Sequence, residues 1–338
     1  MKSSLTTLTR ALAACLGFAA AAASAQAPIE LRLATAAPPN TPWQKQLDRF
    51  AADVAAETKG DVKIKVFYGA QLGSEQDAGA QVARGRIDFA FLSINSLALQ
   101  IPETILASPY MYWDSNAQRE CVLDKHLLEP MRTVMARKGF QLLNWMEVGP
   151  NNIVAKFPAP SPADVKGKKL GLATSKIATN FWELQGVVPV PTAITEGASS
   201  LSTGLVDFAL LPPIYYVAAG FGKIAPVYTL TAVQQTPGAL VMSKIVYDKL
   251  TPAQRDGIIR AVAKVPASQM RAEIAAVENV MLNKHKEAGG TVVELTAAQR
   301  AEWRKPLAPF YVKAAKDLGP EGERLFAISE SAKKSCGN

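Results

Sequence analysis

The sequence predicts a two-lobed α/β fold, each lobe a mostly parallel sheet flanked by helices, with a long kinked helix spanning both lobes. Three observations predict it. First, Gly85-Arg86-Ile87-Asp88-Phe89-Ala90-Phe91-Leu92 returns as Gly204-Leu205-Val206-Asp207-Phe208-Ala209-Leu210-Leu211, with Gly, Asp, Phe, Ala and the final Leu identical. Each copy follows a helix-like run, Glu75 to Arg84 and Ile194 to Thr203, and each ends in an apolar run too short for a second helix and suited to a strand buried on both faces. The Gly suits the left-handed position that closes a helix. Second, 338 residues exceed the size at which one core keeps growing, so two lobes are expected. Third, a helical pattern runs from the capping box Thr251-Pro252-Ala253-Gln254 to Lys286, with Pro266 inside it as the expected kink.

The remaining elements follow in order. Ile29 to Thr35 alternates as an opening strand and enters the Pro-rich turn Ala36 to Asn40. Thr41 caps a helix with Pro42 at its first position, and Trp43, Leu47, Phe50 and Val54 form its apolar stripe. Val62 to Phe67 is the next strand. Phe140 to Val148 reads as the first crossing between lobes, broken by Gly149-Pro150-Asn151-Asn152 before Ile153 to Phe157 resumes. A strand at Leu170 to Ala173, a helix at Ser175 to Gln185 and a strand at Val187 to Val190 precede the second repeat copy, and Tyr228 to Val233 crosses back. Residues 26–148 are thus assigned to lobe 1, completed by about 234–265, and 149–233 to lobe 2, completed by about 270–318, with a helical tail over 319–338.

Residues 1–25 read as an export signal: Lys2 and Arg10, an apolar run over Ala11 to Ala22, and the small-residue site Ala23-Ser24-Ala25. Setting Lys2 and Arg10 aside from the 37 basic residues leaves 35 against 29 acids, a mildly basic chain. Its charges are interspersed without a basic stripe, which argues against nucleic acid as a partner. No later stretch is apolar and long enough to span a bilayer. Cys121 and Cys336 would then sit in an oxidising space, where a disulfide pinning the tail to lobe 1 is favoured over two buried thiols.

In open parallel sheets, ligands bind beyond the carboxyl ends of the strands, which directs attention to the segments after the two repeat copies. These hold Ser93 and Asn95 in one case, and Leu211, Pro212, Tyr215 and Tyr216 in the other.

The order of parts resembles the dicarboxylate-type solute receptors of tripartite ATP-independent periplasmic (TRAP) transporters. Carrying the resemblance are Gln71-Leu72-Gly73-Ser74-Glu75, Asp164-Val165-Lys166-Gly167-Lys168-Lys169 before a strand, Gly186, Asp207 with Pro212, and the kinked late helix. It implies two lobes closing on one ligand, no cofactor, a periplasmic and monomeric protein, and small and large membrane subunits as partners. The implied site adds Thr35, Trp43, Glu75, Trp145, Asn151, Gly171 and Thr174 to the residues above. One departure bears on the ligand. Where the family usually carries a carboxylate-gripping arginine this chain has Gly171, and where an asparagine is usual it has Leu211. A carboxylate desolvated without a partner costs several kcal/mol, so a neutral or largely apolar ligand is expected, with glycine leaving room for bulk. The alternative is a carboxylate held by Lys176 or by backbone donors. Trp182 is open between the core of its helix and the cleft, and Glu75 between a ligand contact and a helix N-terminal charge.

An enzyme is disfavoured. The two histidines, His126 and His285, sit in charged helical surroundings read as solvated, and no metal-spaced cysteines, serine elbow or phosphate loop is present. A ligand-sensing protein that docks on a receptor, or a receptor for an ATP-driven importer, shares the same closing cleft and is not separated from the transport reading by sequence.

Overall fold

In a computed structural model that describes residues 27–337, the two repeat copies occupy matching places in the two halves of one continuous sheet. The expected export signal, 1–25, lies outside the described residues. The first half contains β1 (Ile29–Thr35), α1 (Pro42–Glu57), β2 (Val62–Phe67), α2 (Glu75–Ala83), β3 (Phe89–Ser93) and α3 (Asn116–Val122). The crossing strand β4 (Phe140–Ala155) leads into β5 (Lys169–Leu172), α4 (Lys176–Leu184), β6 (Val188–Pro191), α5 (Gly197–Thr203), β7 (Phe208–Leu211) and α6 (Pro213–Ala218). The return crossing β8 (Val227–Ser243) is followed by α7 (Pro252–Ala263), α8 (Ala267–Glu287), β9 (Thr291–Glu294) and, at the end, α9 (Gly319–Ser335).

Sheet order among these strands is β2-β1-β3-β8-β4-β7-β5-β6, with β9 joining β8. In one half β1 pairs in parallel with β2 and β3; in the other, β5 pairs in parallel with β6 and β7. Each repeat strand then pairs antiparallel with a crossing strand, β3 with β8 and β7 with β4. The two lobes therefore use the same plan with the crossing strands exchanged. Both parallel trios deliver their carboxyl ends to the middle of the β4–β8 pair, between the Ser93–Gly238 and Asn152–Leu211 pairings.

The identical residues of the repeat have identical jobs. Gly85 and Gly204 take φ of +70° and +74°, the left-handed turn out of the preceding helix. Asp88 Oδ2 accepts from the Arg32 N–H at 2.7 Å, and Asp207 Oδ2 from the Lys169 N–H at 2.7 Å. Each aspartate thus satisfies a donor on the neighbouring parallel strand at the point where its own strand has not yet begun pairing. Phe89 and Phe208 are fully buried, as two-sided burial requires.

Three expectations are modified. Gly149 to Asn152 does not break the first crossing: β4 is continuous, and register shifts at Leu142/Asn144, Glu147/Gly149 and Asn151/Ile153 absorb the irregularity, with Gly149 at φ +107°. The return crossing extends well past Val233, because Gln234 to Gly238 stay paired with β4 in spite of Pro237. The late helix divides at its kink. Pro266 has an extended ψ of 151° and caps α8 instead of continuing α7. Helix α8 still spans both lobes, taking Gln46 Nε2 of α1 on the Met270 carbonyl at 2.9 Å and stacking His285 edge-on against Tyr216 of α6. His285 is accordingly buried, not solvated, because a main-chain carbonyl, Pro226 O, lies 3.0 Å from its Nε2.

The tail is helical as predicted, and the disulfide alternative is resolved: Cys336, just past α9, is bonded to Cys121 of α3. Trp182 is core, fully buried with rings of Tyr110, Phe181, Phe208 and Trp303 around it. Among the described residues no helix is long and apolar enough to cross a membrane.

Candidate functional site

Where the two trios meet the crossing pair there is a cleft enclosing about 970 Å³ of space between atoms, part of it open to solvent. Ten of the expected residues line it: Thr35, Trp43, Glu75, Ser93, Asn95, Asn151, Gly171, Leu211, Pro212 and Tyr215. They come from the carboxyl ends of β1, β3, β5 and β7, from the short helical turn Ile94–Leu97 after β3, from the first turns of α1, α2 and α6, and from the later part of β4. This is the location that strand direction dictates.

Three do not join them. Trp145 is fully buried in the core beneath β4, opposite Ala239, because it lies on the part of the crossing strand that belongs to lobe 1's interior. Tyr216 is also core, its hydroxyl donating to the Ala225 carbonyl at 2.7 Å; one residue from Tyr215 on a helix turns the side chain about 100° away. Thr174 follows β5 but its neighbours Leu172 and Ala173 face the cleft in its place. Conversely Gln76, Phe91, Tyr110, Thr192 and Thr236 line the cleft without having been anticipated. Phe91 was legible in the repeat itself, whereas Tyr110 comes from an irregular segment with no periodicity to read. The Phe91 ring lies flat on β8 only because residue 238 is glycine, whose added Cβ would stand 2.2 Å from the ring.

Glycine at 171 leaves less room than expected. A Cβ there would meet Thr192 Oγ1 at 3.3 Å and Thr192 Cβ and Val206 Cγ1 at 3.4 Å, so the side chain's volume is already bounded.

The electrostatics of the cleft are lopsided. No lysine or arginine is among the described residues lining it, and Glu75 is the one lining residue with a formal charge. Lys176 does not supply the missing cation: it is largely exposed, 3.9 Å from Asp317. Glu75 is held on lobe 1 by the Ser93 N–H at 3.0 Å and the hydroxyls of Ser93 and Ser96 at 2.8 and 2.6 Å. Its charge is felt on the other lobe, where burial first and Glu75 second push the Tyr215 phenol up to about 12.

Behind the cleft wall is a buried ionic cluster that ties the crossing strand to the helices. Glu147 of β4 accepts from Arg119 Nη2 at 2.9 Å and Gln235 Nε2 at 3.3 Å, with Arg271 Nε 3.7 Å away and Arg271 itself bidentate on Asp124. The Glu147 carbonyl accepts from Trp43 Nε1 at 2.8 Å, which fixes the indole that faces the cleft. Glu278 of α8 lies over Gly149 at this junction, where an added Cβ would stand 2.6 Å from its Oε1. Burial, reinforced by the Glu147 charge, raises its pKa to about 8.

The two matched halves of the sheet meet at a cleft partly open to solvent, an arrangement suited to holding a small solute between lobes. Residues 33–317 match the family of bacterial extracellular solute-binding proteins, family 7, and the chain belongs to that family, which binds and transports solutes and is not enzymatic. A solute-binding protein of Verminephrobacter eiseniae is 29% identical over 88% of both chains. Two solved TRAP periplasmic solute-binding proteins superpose closely. That of Bradyrhizobium sp. BTAi1, in complex with D-galacturonate, has a TM-score of 0.84 at 26% identity, covering 90% of this chain and 100% of that one. That of Polaromonas sp. JS666, bound to D-erythronate, has a TM-score of 0.81 at 26% identity, covering 89% of this chain and 98% of that one.

Proposed function

We propose that this chain is the periplasmic capture subunit of a TRAP transporter, closing its lobes at the β4–β8 crossings on one small solute and presenting it to small and large membrane subunits. The proposed lobe boundaries fall at the crossings, near residues 148–149 and 233–234. The proposed solute is uncharged or amphipathic, not a simple dicarboxylate. The observation that carries this is the absence of any lysine or arginine among the cleft's described lining residues, together with Glu75 inside it. A carboxylate buried there would lack the bidentate partner that makes acid recognition strong and would face a like charge.

A second reading is favoured by one specific fact: galacturonate and erythronate, the ligands of the structurally similar proteins, are acids. Under that reading backbone N–H groups at the strand ends hold the carboxylate. Thermal-shift titration of the ligand-free protein separates the two. The first reading expects stabilisation by neutral hydroxylated or amphipathic compounds and none by succinate, galacturonate or erythronate; stabilisation by those acids at micromolar concentration overturns it.

A further inference from the structure

Away from the cleft, the two bonded cysteines meet a histidine. The sulfurs of Cys121 and Cys336 and a ring nitrogen of His126 all lie within 4.8 Å of one another, the one such grouping of three metal-ligating side chains among the described residues. His126 is half-buried there, where its neighbour Lys125 had suggested a solvated face.

A loosened helical turn makes the meeting possible. Helix α3 continues through a π-helical turn, Leu123–Leu127, into the helix Leu128–Ala136. In an α-helix, residues five apart point about 140° away from each other, which would turn His126 from Cys121. A π turn takes in one extra residue, so positions five apart regain the shared face that positions four apart have in an α-helix. Such turns are rare and gather at functional sites. Cys336 arrives from the opposite side on α9, whose placement does not depend on the disulfide. Gln118 Nε2 donates to the Lys333 carbonyl at 3.1 Å, Lys333 Nζ donates to the Tyr112 carbonyl at 2.9 Å, and Leu325 and Ala332 are buried. Opening the bond therefore leaves two thiols and an imidazole facing one another. Their α-carbons, 5.8 Å apart at the cysteines, let the sulfurs part by side-chain rotation to the roughly 3.8 Å that two thiolates on one tetrahedral zinc require.

We propose that Cys121, His126 and Cys336 in the reduced protein form a binding site for a thiophilic divalent cation, zinc being the type case. A dithiol reductant supplies two electrons and two protons, splitting the S–S bond into two thiols and becoming a disulfide itself. Zn²⁺ then displaces both thiol protons, making two S–Zn bonds and one N–Zn bond, with water in the fourth position. Two thiolates and an imidazole suit zinc and exclude magnesium and calcium, which take oxygen ligands. The tail is thus held to lobe 1 by a covalent bond when oxidised and through the metal when reduced.

The test uses the chain from Gln26 onward, whose only thiols are Cys121 and Cys336, reduced with a phosphine and freed of it under argon. Zinc affinity is read by competition with a chromophoric chelator, and the ligand set by the thiolate-to-cobalt absorption band when Co²⁺ replaces zinc. One zinc per chain is expected, bound at least a hundredfold more tightly by the reduced protein than by the oxidised protein or by Cys336→Ser. Zinc should also raise the melting temperature of the reduced protein by several degrees, because a metal that favours the folded state stabilises it. His126→Ala should weaken zinc at least tenfold while leaving the melting temperature of the oxidised protein unchanged, and His126→Cys should restore the affinity with a stronger cobalt band. Zinc held by His126→Ala as tightly as by the reduced wild type overturns the site. So does zinc that binds without raising the melting temperature, the mark of thiols chelating in an unfolded chain, and so does magnesium or calcium binding as tightly as zinc. Neither cysteine lines the cleft, so these outcomes leave the solute reading where it stands.

Discussion

Replacing Glu278 by glutamine should make the protein's stability nearly independent of pH over a range where the wild type weakens steadily. The carboxyl has an ordinary value of 4.5 and stands at about 8 in the folded chain, because burial over Gly149 and the charge of Glu147 from β4 both oppose ionisation. Arg119 from α3 opposes them only in part, its Nη2 being already engaged by Glu147, while Tyr228 of β8 faces the same carboxyl as a neutral phenol. Between those two values the folded state holds the proton and the unfolded state releases it, so stability falls as pH rises through about 4.5 to 8 and levels off above. At roughly 1.4 kcal/mol per pH unit the full loss has a ceiling on the order of 4–5 kcal/mol, and the partial exposure of the group brings the expected figure nearer to 3. Glutamine keeps the shape and removes the charge. Urea unfolding of both proteins, ligand-free, at pH 5, 6.5, 8 and 9 measures the difference: the curves should converge near pH 5, with the variant ahead by a few kcal/mol at pH 9. Parallel curves across the range would refute the reasoning.

Other perturbations probe other levels of the structure. Gly171→Arg sets a guanidinium at the cleft, and calorimetry should show succinate affinity rising by at least tenfold; the tight fit against Thr192 and Val206 should lower stability by about 1–2 kcal/mol. Reduction of the Cys121–Cys336 bond, which spans 215 residues, should lower unfolding free energy by roughly 2–4 kcal/mol, read by denaturant titration with and without reductant, while ligand affinity holds because neither cysteine lines the cleft. Asp207→Ala leaves the Lys169 N–H without its carboxylate and should cost about 1–3 kcal/mol in the same assay, with Asp88→Ala costing a similar amount because it removes the matching contact in the other lobe.

The repeat was legible because its demands are local. A glycine must turn left-handed at the helix end, an aspartate must satisfy a strand donor, and a phenylalanine must be buried from both sides, so the same five identities recur wherever that geometry does. Strand direction then led to the cleft and to five of its lining residues, Ser93, Asn95, Leu211, Pro212 and Tyr215, while the family resemblance supplied Thr35, Trp43, Glu75, Asn151 and Gly171. What could not be read depends on tertiary register. Tyr215 and Tyr216 are adjacent on a short helix, and only packing against His285 and Ala225 decides which one is core. Trp145 and Asn151 lie on opposite sides of the register shift at Glu147/Gly149, so the side of one could not be counted from the other. Tyr110 and the buried Arg119–Glu147–Arg271 cluster join segments far apart in the chain, with no spacing to announce them. His285 looked solvated from its lysine neighbours, yet the glycines at 222 and 290 leave the space that buries it.

Native mass spectrometry of the protein taken directly from the compartment where it folds tests the central claim, a closing cleft with no positive anchor in it. One adduct per chain is predicted, lost on gentle activation, whose mass and fragmentation identify a molecule without a free carboxylate. An adduct identified as a dicarboxylate or a sugar acid would contradict it.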